Sequence, residues 1–210
     1  MFVLPASSLK SQVTPARRRV RGRIVAAIVV ALVALSGCAQ DSGNNTDVVG
    51  QGYQSGDGSV KTWPASERTE PVALVGTDYA GQPVDSTAFY GDVVVLNTWY
   101  AACPPCRAEA ADLGELAQLF EPDGVQFLGI NRTDDPGAAQ AFEREFGVTW
   151  PSINDTSGAA IATLAGVVPI KAVPTTVVLD REGRVTARIL GQIDKSTLKA
   201  LITDALAESA

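Results

Sequence analysis

The chain has 210 residues, of which 46% are hydrophobic, enough for one well-packed domain with an appendage but not for two full domains. Six of its 17 basic residues precede position 38 in a segment without acidic residues, and the remaining 11 face 23 acidic residues, a net charge of −12. A body this acidic is unsuited to binding nucleic acid or an anionic membrane surface through charge, so no nucleic-acid partner is expected.

The basic leader has the pattern of a targeting signal. The cluster RRRVRGR is followed by the apolar run 24–35 and by LSGC at 35–38. A twelve-residue helix spans roughly 18 Å, less than the roughly 30 Å hydrocarbon core of a membrane. LSGC resembles the lipobox of bacterial lipoproteins, which implies that Cys38 is lipidated and becomes the first mature residue. An uncleaved anchor or an ordinary secretory signal is the alternative, and either places the body outside the cytoplasm.

We therefore expect three parts: a lipoprotein signal peptide (1–37), a lipid-anchored flexible tether (38–70) and a folded domain (71–210). The tether is rich in Gly, Ser, Asn, Asp and Gln and cannot bury enough apolar area to offset the entropy of ordering. Trp63 suggests that the end of the tether packs on the domain.

Regular structure is predicted from residue 71 onward. Segments 72–75 and 83–89, separated by the turn AGQP, indicate a β-hairpin. Strands are then predicted at 93–99, 125–131, 175–180 and 185–190, with a short extended piece at 150–155, and helices at 104–120, 136–146, 158–165 and 195–207. This order predicts an α/β fold with a mixed central sheet and helices on both faces. A thioredoxin-like fold is compatible with it, as are others.

Cys103 and Cys106 lie where the first buried strand ends and the first long helix begins, an edge at which sites gather in open α/β sheets. Cys103 falls near the N-cap, with Pro104 and Pro105 at the first helical positions, where a missing N–H costs nothing. The free N–H groups and the helix dipole favour a thiolate at Cys103. We therefore expect Cys103 to be the exposed nucleophile and Cys106 to be the inward-facing resolving thiol.

Glu109 lies three residues after Cys106, on the same side of the helix and one turn further on. A carboxyl group there could accept the proton of Cys106 as it attacks, provided that burial raises its pKa. Spacing alone favours a solvated glutamate stabilised by the helix dipole, so both interpretations stay open at this point.

Composition limits the chemistry of the cysteine pair. The chain has no histidine, which excludes a Cys–His pair and haem attachment through CxxCH. Structural zinc needs four ligands and no second CxxC exists, so no metal is expected. For a peroxiredoxin-like peroxidase, Tyr100 stands where a threonine is expected, and a purely structural disulfide would close too small a loop to restrain the unfolded chain much. Thiol–disulfide exchange is favoured, and the peroxidase and a non-catalytic lipoprotein with a structural disulfide remain alternatives.

Several motifs together resemble the membrane-anchored thioredoxin-like proteins of the TlpA, ResA and DsbE group, in the redoxin superfamily. They are WYAACPPCRAE at 99–109, the strand before it, AVPTTVVLDREGRV at 172–185 and GQID at 191–194. The resemblance runs from about residue 71 to residue 207. It implies a thioredoxin-like fold with an N-terminal β-hairpin and a central helix–strand insertion at about 132–170.

The resemblance also implies site roles: Cys103 as nucleophile, Cys106 as resolving cysteine, Glu109 as the acidic residue beside the disulfide and Pro174 as a cis-proline facing it. A cis Val173–Pro174 bond would expose the backbone of Val173 for pairing with an extended substrate. The expected substrate-binding residues are Trp99, Ala102, Pro104, Pro105 and Val173.

Two positions depart from the pattern of these relatives. Asn97 stands where thioredoxins have a buried aspartate, and an amide cannot carry a proton, which gives Glu109 more reason to do so. Ala102 stands where the group commonly has tryptophan, so some apolar contact surface beside the sulfur is missing.

The function implied by the resemblance is that of an extracytoplasmic, lipid-anchored disulfide reductase. Its substrates would be disulfide-containing proteins, such as apocytochrome c before haem attachment, and its electrons would come from a membrane donor of the CcdA/DsbD type. No cofactor is expected beyond the redox-active disulfide of Cys103 and Cys106. A general disulfide oxidase or exchanger is the alternative, because direction depends on the reduction potential.

Overall fold

The computed structural model describes residues 59–169 and 171–208, and this part of the chain folds around a six-stranded sheet with a separate hairpin. The signal peptide, Cys38 and most of the predicted tether lie outside the described residues. The strands are β1 (Val60–Thr62), β2 (Val75–Thr77), β3 (Pro83–Asp85), β4 (Val93–Thr98), β5 (Val125–Asn131), β6 (Ser152–Asn154), β7 (Thr175–Leu179) and β8 (Val185–Leu190). The helices are α1 (Pro104–Phe120), α2 (Pro136–Phe146), α3 (Ala159–Ala162) and α4 (Lys195–Ala207).

The sheet is mixed, with strand order β1-β8-β7-β4-β5-β6. β4, β5 and β6 are parallel, whereas β4–β7, β7–β8 and β8–β1 are antiparallel. The hairpin β2–β3 forms a second, two-stranded sheet. Because β4 and β5 are parallel, their carboxyl ends meet at one edge, where the loop before α1 also lies.

The central strand β4 is buried on both faces, as its continuous β-branched and apolar run predicts. Val93 and Val95 pack in a cluster with apolar side chains of α1 and α4. Val94 and Leu96 point the other way and pack in a second cluster with the hairpin and α3. Alternation along one strand thus supplies the cores on both faces of the sheet.

Most predicted elements are confirmed within one or two residues, and three differ. The first hairpin arm, predicted at 72–75, lies instead at Val75–Thr77. The helix predicted at 158–165 ends at Ala162, after which the chain continues as turns in which Thr163 and Leu164 donate to carbonyls three residues back. The second hairpin arm ends at Asp85, whose carboxylate caps a 3₁₀ turn over Ser86–Phe89 by accepting the Thr87 N–H. Among the described residues, no helix combines the length and apolar character that a membrane crossing requires.

Ordered structure begins before residue 71, inside the segment predicted as tether. Val60 pairs with Ile189 and Thr62 with Ala187, so that β1 adds an antiparallel strand to the edge of the sheet. Trp63 packs against the second core cluster, as the sequence suggested. The predicted tether therefore overlaps the folded domain at its C-terminal end, because pairing with a sheet edge orders a polar stretch whose composition alone does not.

Candidate active site

Pairing between β4 and β7 brings two distant loops together at the carboxyl end of β4. Thr98 lies opposite Thr175, and its hydroxyl accepts a hydrogen bond from the Thr175 N–H at 2.8 Å. The peptide bond between Val173 and Pro174, just before β7, is cis as predicted. This register places the cis-proline loop beside the segment that leads from β4 into α1.

The N-terminus of α1 holds the cysteine pair. Cys103 is the N-cap residue, its Sγ accepts the Cys106 N–H at 3.2 Å, and Pro104 and Pro105 occupy the first helical turn. The two sulfurs form a disulfide of 2.03 Å. The predicted position of the pair and its N-cap geometry are confirmed.

The exposure expected of Cys103 is wrong for this disulfide-bonded state. Cys103 is only 1% exposed and Cys106 2%, because both pack in a cluster with aromatic side chains and with the half-buried Val173. Ala102 and Pro104 are exposed, while Pro105 is half-buried. The surface next to the disulfide is therefore made by the flanking residues rather than by Cys103 itself.

Trp99, expected among the substrate-binding residues, is only 5% exposed. Its ring stacks on that of Phe142 with 4.5 Å between centroids. Gly129 of β5 allows this position, because a Cβ there would lie 2.7 Å from Trp99 Nε1. Trp99 thus supports the disulfide from behind.

Glu109 is completely buried, which excludes the solvated alternative. Its Oε1 accepts a hydrogen bond from Asn97 Nδ2 at 2.9 Å and its Oε2 accepts one from the Ile193 N–H at 2.9 Å. Asn97 Nδ2 also donates to Thr176 Oγ1 at 3.1 Å. The carboxyl group is therefore fixed between the centre of the sheet and the loop before α4.

This environment raises the pKa of Glu109 to about 7. Burial is the main cause, since it penalises the charged form, and the hydrogen bonds from Ile193 and Asn97 oppose it. The negative charge of Asp112 raises the pKa further. A carboxyl group with this pKa can both take up and release a proton near neutral pH.

A small cavity lies between Cys106 and this network. It has a volume of about 10 Å³, the least that can hold one water molecule, and both Cys106 and Asn97 line it. Asn97 thus lines the cavity beside Cys106 and also donates to the Glu109 carboxyl group.

Two residues that sequence reasoning missed hold the loop before Cys103. The Ala101 N–H donates to Asp134 Oδ2 at 2.6 Å, and Asn131 Nδ2 donates to the same oxygen at 2.8 Å. The available signal was the polar run NRTDD, which begins with the last residue of β5, and the carboxyl end of β5 lies beside that of β4. In the part of the chain described, no group of three or more Cys, Asp or Glu side chains is suited to hold a metal ion.

Solved structures with the same architecture define the class of protein. A secreted thiol-disulfide isomerase from Corynebacterium glutamicum superposes with a TM-score of 0.68 and 29% identity, covering 75% of this chain and 98% of that one. A DsbF homologue from Corynebacterium diphtheriae gives 0.62 and 30%, covering 72% and 98%. The fold is thioredoxin-like, as predicted, and with its CxxC pair the protein is a thiol–disulfide oxidoreductase.

Sequence comparison identifies the family. The model of the Redoxin family matches residues 61–202, so the chain belongs to this family. Thiol-disulfide oxidoreductase ResA of Geobacillus thermodenitrificans is 31% identical over 139 residues, covering 66% of this chain and 77% of the relative. Thiol:disulfide interchange protein HelX of Rhodobacter capsulatus is 30% identical over 166 residues, covering 77% and 90%.

Proposed function

We propose that the protein is an extracytoplasmic disulfide reductase that transfers two electrons from the Cys103/Cys106 dithiol to a disulfide of a protein substrate. The observation that carries the proposal is the buried Glu109, held by Asn97 and Ile193 one helical turn from Cys106. Its pKa of about 7 suits a group that takes the proton of a resolving thiol.

In the first step the Cys103 thiolate attacks one sulfur of the substrate disulfide. The substrate S–S bond breaks, a mixed disulfide with Cys103 forms, and one substrate thiolate leaves and takes up a proton from solvent. The position at the N-cap stabilises the attacking thiolate through the helix dipole and the Cys106 N–H.

In the second step Cys106 attacks the Cys103 sulfur while its proton passes to the Glu109 carboxylate. The mixed disulfide breaks, the Cys103–Cys106 disulfide forms, and the second substrate thiolate leaves and takes up a proton from solvent. The substrate has gained two electrons and two protons. A thiol donor must then reduce the Cys103–Cys106 disulfide, and Glu109 returns its proton as Cys106 is released.

The cis-proline loop offers a place for the substrate backbone. Within residues 59–169 and 171–208, neither the N–H nor the C=O of Val173 has a hydrogen-bond partner. An extended segment could therefore pair with Val173 while its cysteine reaches Cys103 past the exposed Ala102 and Pro104. We assign substrate binding to these positions, with Pro105 at their edge, Trp99 behind them and Pro174 keeping the loop against the disulfide.

The resemblance to ResA and HelX supports a reductase that prepares apocytochrome c for haem attachment. In this proposal Cys38 carries the lipid anchor, the protein acts on the outer face of the cell membrane, and a membrane donor of the CcdA/DsbD type supplies the electrons. No cofactor beyond the disulfide takes part in these steps.

Trapping and equilibrium measurements on the full-length chain test this function. Cys106→Ser should accumulate a mixed disulfide with a disulfide peptide through Cys103, and Cys103→Ser should form none and reduce no substrate. In redox equilibrium with glutathione, a reductase should have a potential near or below that of thioredoxin, about −270 mV. A potential well above this value would make the protein an oxidase, and unchanged turnover in Cys103→Ser would refute exchange through this pair.

A further inference from the structure

A second, larger cavity opens beside the disulfide, at the carboxyl ends of β4 and β5. Its volume is about 250 Å³, below the roughly 300–1,000 Å³ of typical small-molecule sites and sufficient for one large side chain. Its apolar wall includes Trp99, Ile130, Ile161, Val168 and Val173.

This cavity is continuous with the reacting centre. Trp99, Tyr100 and Val173 line it and also belong to the cluster that packs around Cys103 and Cys106. A substrate that pairs with Val173 would therefore bring a neighbouring side chain to the cavity. Successive residues of an extended segment are about 3.3 Å apart, and Val173 packs in one cluster with Cys103, so a side chain that enters the cavity beside Val173 belongs to a residue near the reactive cysteine in sequence.

The charged residues that line the cavity in the described part of the chain, Arg132 and Lys171, are both cationic. Both are exposed, and neither makes an ion pair with any residue that the structure describes. The Arg132 guanidinium lies over Gly158, where an added Cβ would be 3.2 Å from it. By contrast, Arg107 pairs with Glu145 and Lys195 with Glu115.

Unpaired cations are unexpected here, because residues 59–208 carry 11 basic and 20 acidic side chains. The two cations share one edge of the cavity, and no carboxylate of the described residues lines it, so the lining itself is positive on an acidic protein. An anionic group of a partner complements such a site, and the apolar wall beneath it suits a hydrophobic neighbour of that group.

We propose that this cavity is a specificity subsite for the substrate: it receives a large apolar side chain, and Arg132 and Lys171 bind a carboxylate next to it, within three residues of the reactive cysteine. The inference deepens the function proposed above and rests on it in one respect, that a protein disulfide is the substrate.

The test uses peptides that share one composition and one net charge. Each peptide contains a disulfide and a leucine–glutamate pair. In the near set the pair lies one to three residues from the cysteine, on its N-terminal or its C-terminal side, and in the far set it lies at the far end of the peptide. Equal net charge cancels the general repulsion by the acidic body, so any difference reports the local site. Stopped-flow kinetics of the full-length protein give kcat/KM for each peptide in both directions, as reduction of the disulfide and as oxidation of the dithiol.

We expect about a 5-fold preference for one of the near placements, carried by KM, and its loss in Arg132→Gln/Lys171→Gln, since exposed ion pairs contribute modestly. Lys199→Gln, an exposed lysine of α4, is the control and should keep the preference. Equal rates for near and far placements in the wild type, or a preference that survives in the double variant, would overturn the subsite.

These outcomes are separate from those of the proposed function. If the protein works as an oxidase, the preference is still measurable in the oxidising direction, and only the reductase proposal fails. If reduction is confirmed but placement of the glutamate has no effect, only the subsite fails.

Discussion

Asn97 of β4 donates a hydrogen bond of 2.9 Å to the carboxyl group of Glu109 on α1, and both side chains are buried. Asn97 stands where thioredoxins have a buried aspartate. The amide therefore holds in place the carboxyl group to which we assign proton transfer.

The first prediction concerns the pH dependence of the resolving step. The pKa of Glu109 is about 7, so its carboxylate becomes available to accept the Cys106 proton as the pH rises through that value. The rate of substrate release from a mixed disulfide should increase across this pH range. In Glu109→Gln the pH dependence should disappear, and the rate at pH 7.5 should fall by at least about 10-fold. Rapid-quench measurement of mixed-disulfide decay checks this. Glu115→Gln, a change at an exposed residue of the same helix, is the control and should retain the wild-type pH profile. If the pH dependence persists in Glu109→Gln, a group other than Glu109 causes it.

The second prediction concerns stability of the oxidised protein. Glu109 has a pKa near 4.5 when unfolded and about 7 when folded, so the folded state binds its proton more tightly. The resulting stabilisation is complete below pH 4.5 and is lost as the pH rises to 7, a change of about 3 kcal/mol. Denaturant unfolding between pH 4.5 and 8 should show this decline in wild type and a flatter curve in Glu109→Gln. Equal slopes in the two proteins would contradict the assignment.

The third prediction tests whether the Asn97–Glu109 pair needs one amide and one carboxyl group. Asn97→Asp places two carboxyl groups at hydrogen-bond distance, so one must hold a proton, and the pKa of the pair rises. We expect a loss of about 2–4 kcal/mol at pH 8 and little loss at pH 5. Asn97→Asp/Glu109→Gln exchanges amide and carboxylate and should recover most of the stability at pH 8. Failure of the double variant to recover would show that geometry, rather than charge, limits the site.

The fourth prediction concerns the segment after β1. Arg68 has a side chain 1% exposed and binds Asp180 at 3.0 Å and Glu208 near the end of α4. Arg68→Met removes one of the two ion-pair partners of the buried Asp180, which keeps Arg184 at 3.0 Å, and should cost about 2–3 kcal/mol in thermal or denaturant unfolding. Arg107→Met, which removes an exposed ion pair with Glu145, should cost less than about 1 kcal/mol. Similar losses of stability in both variants would mean that burial of the Arg68 ion pair adds nothing to the free energy of unfolding.

The fifth prediction assigns a positioning role to Asp134. Asp134→Ala removes the acceptor of the Ala101 N–H and frees the loop before Cys103, so kcat/KM for disulfide exchange should fall about 10-fold. Asp134→Asn keeps an oxygen in the same place and should restore most of the rate. The pH midpoint of the resolving step should stay near 7 in both variants, because Asp134 does not contact Glu109. A shifted midpoint, or equal losses in both variants, would contradict a positioning role.

Much of the site could be predicted from local sequence. The buried run of β4, the N-cap at Cys103 with two prolines behind it, and the spacing of Cys106 and Glu109 along α1 follow from periodicity and helix-end chemistry. These signals depend on neighbours within a few residues. They are sufficient to place a CxxC pair at the end of a strand and the start of a helix, and so to predict exchange chemistry.

Contacts between residues far apart in the chain could not be predicted from local sequence. The buried Glu109 carboxyl group accepts a hydrogen bond from the Ile193 N–H, 84 residues away, and Cys103 is buried by packing with residues as distant in sequence as Tyr79 and Val173. β1 is ordered only because β8 offers an edge, and the cations at positions 132 and 171 share a cavity only because their loops meet above the sheet. Local sequence signals are sufficient to identify the reacting groups, whereas the exposure, pKa and partners of these groups follow from the folded structure, because desolvation and long-range hydrogen bonds exist only after the chain has folded.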